Sequence, residues 1–412
     1  MAVLSRVLAV TALCLSSLIS NATAHPGEHH DNLEIIKEIR ARSIEFENQQ
    51  RELQSACENN EEAQARKERA YARRAANACE RSGVLKMVSL YCIFELLILK
   101  IRTEPILHRR TLAQFKNWQS KGHDRTATHK YNMSTPTDVL FGSNTSCILT
   151  PDNANGPYYV LGEHIRTDVR EGQPGIPLHL EMQFTEVSNC KPAVPLVVDI
   201  WSCNASGIYS GVSAAGQGGL KTTFLRGVQE TDKDGVVSFD SIFPGHYSGR
   251  ASHEHILTHS GATILPNKTF SGGHVSHLSQ LFFDPALIDA VEATDPYNKN
   301  RIPRTSNDVD GYTGYAATSA YDPFAEYIML GSKLSDGLFM WADLGIKSTN
   351  NCKRASVLLL SSDNTKAINS KKLISNVGDT YGTHAAVLGA DGGKDNPRFN
   401  MGIVGTPPNT HG

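Results

Sequence analysis

Between residues 147 and 345 the chain is a succession of short β-branched and aromatic runs, each bounded by Gly, Pro, Asn or Asp. Leu196–Trp201, Val236–Phe239, Ile256–Leu257 and Leu281–Phe283 are examples. Turn residues recur so often that each run is held to strand length, and the spacing predicts a mainly β protein built as a β-sandwich or barrel.

The flanking zones read differently. Asp31–Ser82 holds neither Pro nor Gly and is rich in Glu, Arg, Gln and Ala. Leu33, Ile36, Ile39, Ile44 and Leu53 recur at roughly helical spacing, which predicts a long, solvated helix. Such a segment suits a charged surface, a hairpin tied by Cys57 and Cys79, or an oligomerisation helix that leaves a homodimer open. Residues 84–140 show no clear period. Val84–Ile101 is interrupted by Lys86, Glu95 and Lys100, so it falls short of the roughly 20 apolar residues a membrane span needs. Its fit between a helix and a β-rich region is poor enough to suggest translated intron. After Lys347 the chain turns polar and reads as a disordered tail. The expected division is a leader at 1–24, a charged helical region at 25–83, a connecting segment at 84–146, the β-sandwich at 147–346 and the tail at 347–412.

The leader reading rests on Arg6, the largely apolar Val7–Ile19 and the small residues Ala22-Thr23-Ala24. It predicts a secreted, extracellular protein. Removing it would leave 39 Lys and Arg against 42 Asp and Glu, from 40 against 42 in the 412-residue chain. That balance argues against a chain-wide nucleic-acid footprint. Seven cysteines lie beyond the leader, none in a CxxC, so a zinc ribbon is disfavoured and one thiol is left over from any internal pairing. Sequons at Asn132, Asn144, Asn204 and Asn267 fit the secretory route and a glycoprotein.

The chemistry concentrates between Trp201 and His255. Val197–Trp201 reads as a strand, followed by a turn at Asn204–Gly207 and then Tyr209. Thr231–Gly235 makes a second turn, and Pro244-Gly245 a third that presents Tyr247. Arg250–Ile256 reads as another strand. Residues two apart share a strand face, so His253 and His255 point the same way with Glu254 opposite. An H-x-H pair suits a metal, though it equally suits a polar sheet face. Two phenolates and two neutral imidazoles would form a hard, twice-negative set that prefers ferric iron.

These residues resemble the intradiol ring-cleavage dioxygenases, especially the secreted fungal-type branch. The resemblance covers about 147–345 and is carried by LTPDNANGPYY (149–159), VDIWSCNASGIYS (198–210), TFLRGVQETDKDGVVSFDSIFPGHYSGRASHEHI (223–256) and SQLFFD (279–284). It implies one non-haem Fe(III) per chain held by Tyr209, Tyr247, His253 and His255, with Tyr247 as the labile ligand and proton acceptor. It also implies that Arg250 steadies negative charge developing on the substrate. Gln280 would act from behind the ligands, and Gly156, Pro157, Tyr158 and Tyr159 would line the substrate pocket. The implied reaction takes a catechol and O2 as partners and cleaves between the hydroxyl-bearing carbons to a cis,cis-muconate-type diacid. Glu254 departs from the family's usual apolar residue and would need a partner if it faces a core. Asn155 stands where a Glu often precedes Gly-Pro. The competing expectation is a secreted, non-enzymatic binding module for aromatic or carbohydrate ligands with a degenerate site. A copper or zinc protein is disfavoured by the paired tyrosines.

Overall fold

The computed structural model describes residues 60–81 and 112–126, scattered positions from 141 to 160, and 163–350 except Ser213 and Leu220. The expected leader, Cys57, the Val84–Ile101 segment, the sequons at Asn132 and Asn144, and the tail from 351 lie outside the described residues. So do Asn155, Gly156 and Pro157.

Among the described residues, nine strands form two sheets. The first contains β1 (Pro177–Glu186), β2 (Lys191–Pro192), β5 (Val236–Ile242), β8 (Glu326–Met329) and β9 (Leu338–Ile346). Here β1 pairs with β5 antiparallel and with β9 in parallel, Leu180 lying opposite Phe239 and Met340. The second sheet runs β4-β3-β6-β7, with β3 at Leu196–Trp201, β4 at Arg226–Glu230, β6 at His253–Ile264 and β7 at Phe270–Phe282. Every pairing in it is antiparallel.

Alternation sorts the side chains. Leu178, Leu180, Met182 and Phe184 of β1 meet Leu196, Val198 and Ile200 of β3, Ile256 of β6, Leu281 of β7 and Leu338, Met340 and Leu344 of β9 in one core. The mainly β, sandwich reading therefore holds. The other parity of β3, β6 and β7 supplies a second cluster on the outer face of the second sheet, built from Val197, Trp201, Leu257 and Leu278 with Tyr158, Tyr159, Tyr209 and Tyr247.

The described part of the helical zone, residues 60–81, is not solvated as expected. Helix α1 (Glu61–Arg81) opens with Ala63 donating to Asn60 Oδ1 at 3.0 Å and with two glutamates in its first turn, and it ends on Arg81. Its buried stripe is Ala63, Arg66, Ala70, Arg74, Ala75 and Ala78, along one face of the helix. The alanines let the backbone approach the outer face of the first sheet, and the arginines reach across it. The expected hairpin tied by Cys57 and Cys79 lies outside the described residues at Cys57. Cys190 is disulfide-bonded.

The connecting segment also contains more order than its sequence shows. Helix α2 (Leu112–Gln119) inserts Phe115 against Ala251, Phe282 and Phe324. Helix α3 (Pro285–Glu292) follows β7, and a last turn, α4 (Thr313–Ala316), lies against α2. Among the described residues no helix is long and apolar enough to cross a membrane.

Candidate metal centre

β6 is the central strand of this outer face. Its register sets Trp201 of β3 and Gln280 of β7 on either side of His255, and Phe282 beside His253. The indole of Trp201 stacks on the His255 ring at 4.7 Å and 6°, which fixes the plane of that imidazole. Trp201 lies in the apolar cluster of the outer face. It is fully buried, and it also orients a site histidine. His253 is oriented differently: its Nδ1 donates to the Ala251 carbonyl at 2.6 Å, which leaves Nε2 as the bare lone pair.

Two loops bring in the tyrosines. After β3, the Asn204 carboxamide oxygen accepts from Ser206 and Ile208 amides at 3.0 and 3.1 Å and winds the chain into the turn that presents Tyr209. After β5, Pro244-Gly245 leads to Tyr247. The loops pack backbone to backbone. A Cβ on Gly207 would lie 2.3 Å from the His246 carbonyl, and one on Gly245 would lie 2.5 Å from the Asn204 carbonyl. These two glycines set the separation of the tyrosines. Gly249, at φ +80°, occupies the third position of the turn Tyr247–Arg250 and returns the chain into β6.

Four donor atoms converge. Tyr209 Oη lies 3.2 Å from His255 Nε2, Tyr247 Oη lies 3.1 Å from His253 Nε2, and the two Nε2 atoms are 3.0 Å apart. Tyr209 and Tyr247 also share a hydrogen bond. Donors bound to one ion at about 2 Å stand roughly 3 Å from each other, so the spacing fits a shared cation. Among the described residues no three His, Cys, Asp or Glu side chains gather as a metal site, so a centre here depends on the phenols.

The electrostatics fit as well. Burial pushes both tyrosine hydroxyls well above their ordinary value. Burial, helped by the Arg250 charge, pushes His253 well below its own, which keeps it neutral. The chain alone therefore presents protonated phenols. A cation among them is what would favour phenolate, and two phenolates would offset most of a trivalent charge in a dry site. The residues fit ferric iron.

Arg250 is buried beside the donors. Its Nε donates to Asp310 Oδ2 at 2.8 Å, its Nη2 donates to Gln280 Oε1, and its guanidinium lies 4.5 Å over the Tyr312 ring. Gln280 thus reaches the site through Arg250. Asp310 and Tyr312 were missed by sequence reasoning. They sit 60 residues or more after Arg250, in a stretch whose only local signal is the turn-forming Asp310-Gly311. Of the expected pocket residues, Tyr158 packs on Tyr209 with ring centroids 5.2 Å apart. Tyr159 lies behind the centre, against Trp201 and within 3.4 Å of His259 Nε2. Glu254 points to the opposite face, where burial pushes its pKa up to about 8 and makes it a neutral acid at pH 7.

No protein-family model matches the chain, and no curated protein does. Solved structures do resemble it. An intradiol ring-cleavage dioxygenase from Tetranychus urticae is 29% identical over 49% of this chain and 96% of its own, with a TM-score of 0.42. A catechol 1,2-dioxygenase from an Acinetobacter species is 19% identical over 48% of this chain and 62% of its own, at 0.32. A hydroxyquinol 1,2-dioxygenase from Pseudomonas putida is 15% identical over 57% and 81%, at 0.32.

Proposed function

We propose that this chain is an extracellular non-haem ferric dioxygenase that opens catechol rings between their hydroxyl-bearing carbons. The observation that carries the reading is the convergence of two phenol oxygens and two imidazole nitrogens at about 3 Å spacing in a buried site. Tyr209, Tyr247, His253 and His255 would hold the ion. When bound, ferric iron would supply Lewis acidity toward a catecholate and a route for O2 to react with the electron-rich ring.

The chain's own residues do the rest. Tyr247 Oη is the proton acceptor best placed for a catechol hydroxyl, because Tyr247 is the most exposed of the four donors at 8%. Trp201 and the Ala251 carbonyl keep the two imidazole planes fixed. Arg250 holds a positive charge in place before any negative charge develops on the substrate, so no reorganisation is needed at that moment. Tyr158, packed against Tyr209, shields the centre from water.

Secretion is supported by the apolar Val7–Ile19 run and the disulfide at Cys190. The sequons sharpen it. Asn204 is consumed: its amide nitrogen donates to Gln173 at 3.0 Å while its oxygen caps the Tyr209 loop. Asn267 is exposed at the β6–β7 hairpin tip, with Thr269 Oγ1 donating to its oxygen at 2.6 Å. Peptide mapping of secreted protein is expected to find glycan on Asn267 and none on Asn204.

The functional test is turnover. Iron-loaded protein mixed with catechol in air is expected to consume one O2 per ring and yield a muconate absorbing in the near ultraviolet. Catechol bound tightly but returned unchanged would support the binding-module reading instead.

A further inference from the structure

Asp310 occupies a more connected position than any other acid near the centre. Its Oδ2 accepts from Arg250 Nε and from the Ala251 amide, both at 2.8 Å. Its Oδ1 accepts from the Tyr312 amide at 2.8 Å, the same residue whose ring lies under the guanidinium. Neither Asp310 nor Arg250 exposes any side-chain surface, so the carboxylate is the counter-charge that makes burial of this arginine affordable.

The Ala251 peptide extends the connection. Its N–H goes to Asp310, and its C=O accepts from His253 Nδ1 at 2.6 Å. One carboxylate therefore fixes the guanidinium expected to face the substrate and, through a single residue, the tautomer and plane of an expected iron ligand. The loop carrying it is anchored in turn by Thr313 Oγ1 donating to the Asn307 and Asp310 carbonyls, and by Asn307 donating to the Phe283 carbonyl and to Gln119 of α2.

We propose that Asp310 is a positioning residue for the ring-opening reaction, acting through Arg250 and the Ala251–His253 link. It touches neither substrate nor metal. The proposal rests on the dioxygenase reading of the site. Its chemical basis is geometric: a carboxylate accepts at both oxygens, whereas an asparagine of the same size accepts at one and in either orientation sets an N–H against a group that itself donates.

The test uses the full-length, iron-loaded protein and Asp310→Asn, Asp310→Glu, Arg250→Gln and the Asp310→Asn/Arg250→Gln double variant. Iron content, the visible tyrosinate band, the anaerobic dissociation constant for 4-nitrocatechol and catechol turnover are measured on each. Asp310→Asn is expected to bind iron stoichiometrically, shift the band, and lose about 100-fold in kcat with KM changed by less than about 3-fold. The double variant is expected to be no slower than Arg250→Gln within about 3-fold, because the two act as one unit. Asp310→Glu, which keeps the charge at the wrong reach, is expected to fall between parent and Asp310→Asn. A purely structural role would lower the melting temperature and leave turnover per bound iron unchanged in both Asp310 variants, which overturns the proposal. Multiplicative losses in the double variant overturn it too. A parent protein that takes no iron or leaves catechol intact defeats the dioxygenase reading itself, a different result from an active parent with indifferent Asp310 variants.

Discussion

The two outer faces of the sandwich both bury polar side chains, and they do so in opposite ways. Under α1, Arg74 is fully enclosed and meets Glu181 Oε1 at 2.9 Å, Asp343 Oδ1 at 2.5 Å and the Phe141 carbonyl at 3.1 Å. Arg66 and Arg73 repeat the pattern on Cys190, Thr185 and Glu181. Arg73 and Arg74 are answered by carboxylates, and Arg66 by a carbonyl and a hydroxyl. On the β6 face, four donors point at one another, and the groups there whose pKa is shifted are held neutral. A closed set of ion pairs holds a helix in place. A convergent set of neutral donors instead reserves room for a charge from outside.

The contrast breaks most completely at the donors. Tyr209→Phe or His255→Gln is expected to abolish iron binding and reduce ring opening at least about 10³-fold, while the metal-free protein unfolds at parent denaturant concentrations. The converse holds under α1. Arg74→Ala leaves Glu181 and Asp343 without their buried partner and is expected to cost about 3–5 kcal/mol in equilibrium unfolding, with iron binding retained wherever the protein remains folded.

His123 gives a pH signature of intermediate size. Its Nδ1 meets Asp284 at 2.6 Å and its Nε2 meets Asp322 at 3.0 Å, tying the α2 segment to the end of β7. Burial opposes the charged ring, and the two carboxylates outweigh it, pushing the pKa up to about 10. The folded value lies above the unfolded one, about 6.5. Its stabilisation is therefore complete below pH 6.5 and is lost as pH rises through 10. Unfolding free energy measured across pH 6–10 is expected to fall by a few kcal/mol, and the His123→Gln variant is expected to lose that slope. Smallest of all is the exposed Lys299–Asp295 pair, at 72% and 66% exposure; Lys299→Ala is expected to change stability by less than about 0.5 kcal/mol.

Much of the β6 face was legible because its signals are local. H-x-H declares a shared strand face, Pro-Gly before Tyr247 declares a turn, and Asn204 with Gly207 declares another. What stayed illegible depends on surfaces that meet only in the fold. The Ala–Arg stripe of α1 looks like solvated helix until Glu181 and Asp343, distant in sequence, form the face it covers. Asp310 carries no local mark of its partnership with Arg250. Phe115 is one apolar residue in a basic stretch until it meets Ala251 and Phe282. The reciprocal contacts of Gly207 and Gly245 could be read as turns, yet their role in spacing two tyrosines appears only when both loops are seen together.

The most direct test of the central claim is a visible spectrum with metal analysis of the purified protein, before and after catechol is added under nitrogen. The account predicts about one iron per chain, a red-brown tyrosinate band, and a shift of that band on catechol addition. A colourless protein that takes up no ferric iron on reconstitution would contradict it, and the convergence of Tyr209, Tyr247, His253 and His255 would then be a packing arrangement alone.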